Sequence, residues 1–244
     1  MKIKIINPNT TWSMTKDIEW AGRRYARPDT KVYAVSPQTG PDSIESMYDE
    51  YLAVPGVLSE IIKGDREEDA DAFIIACFGD PVLEAAKEVT DKPVIGIAQA
   101  AFTVAKMIAP NFSVVYVLDR AETVVKNVIH LHGVEQFCRS CRSTGLGVLD
   151  FDRDPAAGMQ ALADQSRKCM EEDGAECVVL GCAGFVQFVD KLNRELPIPI
   201  IDGVSPAVKM CEALVDMGFK SSKRNLWANP EPKKILGLTD VVKF

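Results

Sequence analysis

The sequence predicts an α/β fold of two pseudo-symmetric lobes, each a parallel sheet flanked by helices, with a cleft between them. Three observations predict it. Short apolar, β-branched runs alternate with segments of helical spacing along the chain, the pattern of parallel strands covered on both faces. Two of those runs echo each other: Ala72-Phe73-Ile74-Ile75-Ala76-Cys77-Phe78-Gly79 and Cys177-Val178-Val179-Leu180-Gly181-Cys182-Ala183-Gly184. Each delivers a cysteine with a glycine two residues on, then a helical pattern, then a Pro-led strand at Pro93 or Pro199. With 47% hydrophobic and 26% charged residues in 244, the chain has the balance of a globular protein that fills a sizeable core without disulfide staples.

The elements follow in order. Residues 3–6 form a first strand, and Thr10 or Thr11 caps a helix running through Ser13, Asp17 and Arg24. A strand at 31–35 precedes a helix at 51–63 with Pro55 in its first turn. The apolar run 72–76 ends at Cys77; a helix at 82–89, a strand at 94–97 and a helix at 100–108 follow. The second half opens with a β-rich run at 112–118 and a helix at 122–132, then a short strand at 148–149. A long amphipathic helix at 155–173 is ended by Gly174, and strands at 177–181 and 199–201 precede a helix at 205–217 ended by Gly218. The lobes are expected at 1–98 and 99–210, with the segment 211–244 returning to the first.

A net charge of −7 is a poor match for nucleic acid or an anionic membrane, both of which need clustered positive charge. The opening stretch Met1-Lys2-Ile3-Lys4-Ile5-Ile6 is too short for a secretory signal, and no run approaches about 18 apolar residues. A cytoplasmic location is expected, where cysteines stay mostly as thiols.

Seven cysteines then need a purpose. In open α/β sheets ligands bind beyond the carboxyl ends of strands, and both Cys77 and Cys182 stand where a strand hands over to a helix. Backbone N–H groups at such a helix start favour a thiolate and an anionic oxygen, and bring a thiol from about 8.5 toward neutral. Two such thiols across a cleft suit removal of a proton from one face of a carbon and its return on the other. A carbonyl acidifies that proton, and backbone donors stabilise the enolate oxygen. A single strand-end cysteine is more often plain core; the repeated placement tips the reading toward chemistry.

These residues resemble the Asp/Glu/hydantoin racemase superfamily, and within it the hydantoin and allantoin racemase branch. The matching motifs are Ile6-Asn7-Pro8-Asn9-Thr10-Thr11, Ser43-Ile44-Glu45 with Asp49-Glu50, Ala76-Cys77-Phe78-Gly79-Asp80-Pro81, and Val94-Ile95-Gly96-Ile97. Glu172-Asp173-Gly174-Ala175, Val179-Leu180-Gly181-Cys182-Ala183-Gly184 and Asp202-Gly203-Val204 complete them, to about Leu214. The resemblance implies an isomerase without cofactor or metal, its active site between the lobes and its substrate a five-membered cyclic ureide. It implies Cys77 and Cys182 as the acid/base pair and Asn7 as a substrate contact or thiol-orienting group. It implies Ser43 and Ile44 as backbone donors to a ring carbonyl, and Phe78, Gly79, Ala183 and Gly184 beside the thiols. Tyr116 and Val117 stand where relatives often carry two pocket threonines, Gln99 where a glutamate is common, and Phe185 where a methionine is. The first of these bears on substrate choice. A small-molecule substrate and a homo-oligomer are expected, with neither nucleic acid nor membrane as partner.

Other features carry less. Cys138-Arg139-Ser140-Cys141 lacks two further ligands at zinc spacing, and His130-Leu131-His132 lacks a third. Cys138, Cys141, Cys169, Cys177 and Cys211 read as incidental or core. Competing readings are an aspartate- or glutamate-type racemase, a related isomerase or decarboxylase on the same fold, and a two-lobed binding protein with no catalytic role.

Overall fold

Buried β-branched runs form the sheets of the computed structural model, which describes residues 1–233. The first sheet holds β1 (Lys2–Ile6), β2 (Lys31–Val35), β3 (Ala72–Ile75) and β4 (Val94–Gly96), all parallel, in the order β2-β1-β3-β4. The second holds β5 (Phe112–Tyr116), β6 (Cys138–Ser143), β7 (Val178–Leu180) and β8 (Ile200–Ile201) in the order β6-β5-β7-β8. The two orders are the same once four is added to each label, so the chain is α/β with two pseudo-symmetric lobes. In the first half α1 (Trp12–Tyr25), α2 (Met47–Arg66), α3 (Leu83–Val89) and α4 (Ile97–Ile108) follow the strands. In the second, α5 (Glu122–Leu131), α6 (Asp150–Arg153), α7 (Pro155–Glu171), α8 (Val189–Glu195) and α9 (Val204–Asp216) do so.

Three local expectations change. Residues 148–149 are not a strand: Leu149 is helical and leads into α6. On its outer side β5 pairs with β6, whose Cys-Arg-Ser-Cys-Arg-Ser sequence has no apolar run because it is a half-exposed edge strand. Its polar side chains are spent outward, Arg142 on Asp173 and Glu172 and Ser140 on Asp173. Pro55 is not in a first turn. Ser46 caps α2 by accepting from the Asp49 N–H, so the helix starts at Met47 and Pro55 interrupts its interior, removing one i→i−4 bond.

The last helix of each half crosses over. Helix α4 packs on β7 and β8 of the second sheet, and α9 packs on β3 and β4 of the first, with the two helices against each other. Phe102 on α4 anchors this arrangement, its ring 5.4 Å from Phe78, 5.3 Å from Phe112 and 5.9 Å from His132. One continuous core therefore joins the lobes, while Ile6, Val57, Ile61, Phe73 and Ile75 form a smaller one under α2 and α3. The chain beyond α9 runs along α3: Ser221 donates to the Asp91 carbonyl at 2.7 Å and Trp227 Nε1 to Glu84 at 2.6 Å. Residues 234–244, part of the segment expected against the first lobe, lie outside the described residues. Among the described residues no helix is long and apolar enough to cross a membrane.

Candidate active site

The carboxyl ends of β1, β3, β5 and β7 converge on one pocket, as the strand-end rule for α/β sheets requires. Its empty volume is about 610 Å³, part of it open to solvent. Each lobe contributes one thiol: Cys77 two residues past β3, and Cys182 two residues past β7. Asn7, Ile44, Phe78, Gly79, Tyr116, Val117 and Ala183 line the same space.

Ser43 and Gly184 do not line it. The chain joins the pocket wall only at 44–46, where the Val148 N–H binds Glu45 Oε1 at 2.8 Å and Ser46 begins α2. That first contact ties the two lobes across the pocket mouth. Gly184 keeps its N–H on the Cys182 sulfur, and a Cβ there would overlap the Met14 side chain.

Each thiol accepts a hydrogen bond from the amide two residues on, Gly79 for Cys77 and Gly184 for Cys182. This is the helix-start donation expected from the sequence, in different clothing. No helix begins at Cys77, since α3 starts only at Leu83, and Cys182 opens a 3-10 turn at Ala183–Gln187. The donation does not bring either thiol toward neutral. Both residues reach the pocket surface in part, yet protein encloses each sulfur closely enough for burial to dominate. Burial, then the Glu50 charge, pushes Cys77 well above its ordinary value, and burial pushes Cys182 up to about 12. In the ligand-free protein, iodoacetamide should therefore label both residues slowly at pH 7. Labelling, followed by peptide mass spectrometry, should accelerate about tenfold per pH unit up to about pH 9 as the thiolate fraction grows. Fast labelling at pH 7 would show that the amides outweigh burial.

The loop carrying Cys77 is strained and pinned. Asp80 and Val82 have φ of 45° and 70°, a left-handed conformation that costs a β-branched valine most. Asp80 holds it. Its buried carboxyl accepts from the Ala98 and Gln99 amides at 3.0 and 2.8 Å, capping α4, and Oδ2 lies 2.9 Å from His132 Nε2. Gly96 is required by this approach, because a Cβ there would overlap the Asp80 carboxyl. Asn7 is likewise committed: its Nδ2 donates to Asn9 Oδ1 at 2.8 Å and to Thr15 Oγ1 at 3.0 Å, fixing the loop after β1.

Sequence reasoning assigned no role to Asn9, Met14, Glu45, Ser46, Glu50 or Val148, all of which line the pocket. The signal was Ser46-x-x-Asp49, a helix-start pattern that places Glu50 in the first turn of α2, directly behind the 44–46 wall. None of the described lining residues is Lys, Arg or His.

Two like α/β lobes with a thiol from each on a shared pocket make the site of a two-lobed α/β enzyme. The chain belongs to the Asp/Glu/hydantoin racemase family, whose model matches residues 3–211, and it is a racemase. It is 52% identical over 237 residues to the hydantoin racemase of Pseudomonas sp. (strain NS671), covering 97% of this chain and 95% of that one. The allantoin racemase from Klebsiella pneumoniae superposes with a TM-score of 0.96 at 40% identity, over 99% of this chain and 98% of the other. The allantoin racemase of Pseudomonas fluorescens gives 0.93 at 34% identity, over 97% and 100%.

Proposed function

We propose that the protein racemises a five-membered cyclic ureide, hydantoin or allantoin in type, by two-base proton exchange at the ring carbon with Cys77 and Cys182 and without a cofactor. The observation that carries this reading is the make-up of the pocket: one thiol from each lobe and, among the described lining residues, no cation. A dicarboxylate wants Arg or Lys partners, whereas a neutral ring with carbonyl and N–H groups needs only dipoles. The names of the similar proteins, hydantoin racemase and allantoin racemase, support a ring of this kind.

The proton balance is simple. One cysteine, as thiolate, takes the ring C–H proton and becomes a thiol. The electron pair moves onto the adjacent carbonyl oxygen as an enolate, which backbone N–H groups stabilise. The other cysteine, as thiol, returns its proton to the opposite face and is left as thiolate, so the next turnover in reverse starts from the product state. Because each thiol titrates high when the site is empty, the reactive form is scarce at neutral pH and activity should climb with pH. A cytoplasmic, homo-oligomeric protein with no nucleic-acid or membrane partner completes the proposal, the net charge of −7 supporting the last part alone.

The test is incubation of single enantiomers of a 5-substituted hydantoin, of allantoin and of aspartate in D2O. Optical rotation should decay for a ureide, with one deuterium entering at the ring carbon. Exchange on aspartate alone would move the assignment to amino acids, and exchange on none would end it.

A further inference from the structure

Glu50 is a buried carboxyl that the two-thiol scheme leaves without a task. It is 8% exposed, on the first turn of α2, and lines the pocket. Its Oε1 has no hydrogen-bond partner, the one such buried side-chain N or O atom on the described lining residues. The other acceptors nearby are engaged: Glu45 Oε1 by the Val148 amide, Asn9 Oδ1 by Asn7 and the Thr11 amide, and Ser46 Oγ by the Asp49 amide. Leaving a carboxyl oxygen buried and unpaired is costly. The fold nevertheless makes room for it, since a Cβ at Gly79 would overlap Glu50 Oε1. Only glycine lets that carboxyl lie against the backbone beside Cys77.

We propose that Glu50 is a substrate-recognition residue whose carboxylate, turned from Gly79 toward the pocket, accepts a hydrogen bond from an N–H of the ureide ring, beside the carbon that exchanges its proton. The proposal rests on the cyclic-ureide reading and deepens it. A ureide ring carries N–H donors next to its carbonyls, and the Glu50 carboxyl, which among the described lining residues bears the one idle buried side-chain acceptor, meets one of them. The groups facing Glu50 are the Cys77 thiol and the Asp80 carboxyl from the loop after β3, with His132, the residue that ends α5, on Asp80. Burial, then the Asp80 charge, pushes Glu50 up to about 7. Its charge in turn raises Cys77. A ring N–H on the Glu50 carboxylate offsets that charge, so binding of substrate eases formation of the Cys77 thiolate.

The experiment compares wild type with E50Q and E50L on a 5-substituted hydantoin and its two ring N-methyl analogues, by polarimetry between about pH 5.5 and 9. The ionised carboxyl is the stronger acceptor, so wild-type kcat/KM should rise with pH through about 7. In both variants the part of that limb due to Glu50, with its bend near 7, should vanish, leaving only the climb that thiolate formation gives. In E50L, KM should rise about 10- to 100-fold, with kcat changed less. Methylation at the contacted nitrogen should penalise wild type and lose most of that penalty in E50L. Circular dichroism and melting curves establish that the variants are folded; E50L removes an unpaired buried carboxyl and should melt no lower. If wild type racemises the hydantoin while both variants keep its KM and the bend near 7, the role of Glu50 is overturned and the racemase reading stands. If wild type racemises no ureide, that reading fails and the recognition role falls with it.

Discussion

Replacing either pocket thiol, Cys77→Ser or Cys182→Ser, is expected to lower racemisation by about 100- to 10,000-fold, the usual worth of a positioned acid or base. The double variant should be scarcely worse than either single one, because residues that act as a unit are not additive. Isotope exchange gives the sharper readout. A protein with one working thiol can still remove and return a proton on its own face. In D2O each single variant should therefore label one enantiomer without inverting it, and the two variants should favour opposite enantiomers. Deuterium is followed by proton NMR and inversion by polarimetry. A Cys77→Ser protein that racemises at the wild-type rate would end the two-base scheme.

Phe102→Ala is expected to cost about 3–5 kcal/mol of stability, read from the midpoint of urea unfolding. The ring is 1% exposed and touches Phe78, Phe112 and His132 at once. Those three partners come from the loop after β3, from β5 and from the end of α5. Truncation opens a cavity where elements of both halves meet, and the surrounding sheets are too constrained to collapse into it. Unfolding should stay a single transition, since one core serves both lobes. A loss below about 1 kcal/mol would mean that α4 is not what joins them.

The sheets were legible because seven of the eight strands carry buried β-branched or aromatic residues, and the paired cysteines because both close such a run. What was not legible depended on tertiary surroundings. Strand β6 has no apolar run since its edge position lets Arg142 and Ser140 pay out their polarity to Asp173. Val148 and Leu149 look like a strand in isolation but serve a turn into α6, with Val148 held by Glu45 from the other lobe. The thiols' titration was misjudged for the same reason: a sequence reveals the donor amides but not how much protein surrounds the sulfur. Glu50 stayed hidden because its placement is made by Gly79, 29 positions away in the chain, where the absence of a side chain admits a carboxyl.

The crossed-over helices α4 and α9 carry a consequence for how such a site comes to have two like groups. Each half lends its last helix to the other, as protomers do in a two-fold dimer with exchanged termini. Here the same arrangement is written in one polypeptide. In a symmetric ancestor of that kind, a single cysteine per protomer places a thiol on both sides of the shared pocket. In a single chain the two copies are free to differ, and here Asp80 follows one Cys-x-Gly and Phe185 the other. The main core is shared by both halves and only the smaller one under α2 and α3 lies within the first, so the halves are expected to be inseparable as folding units although each bears one member of the pair.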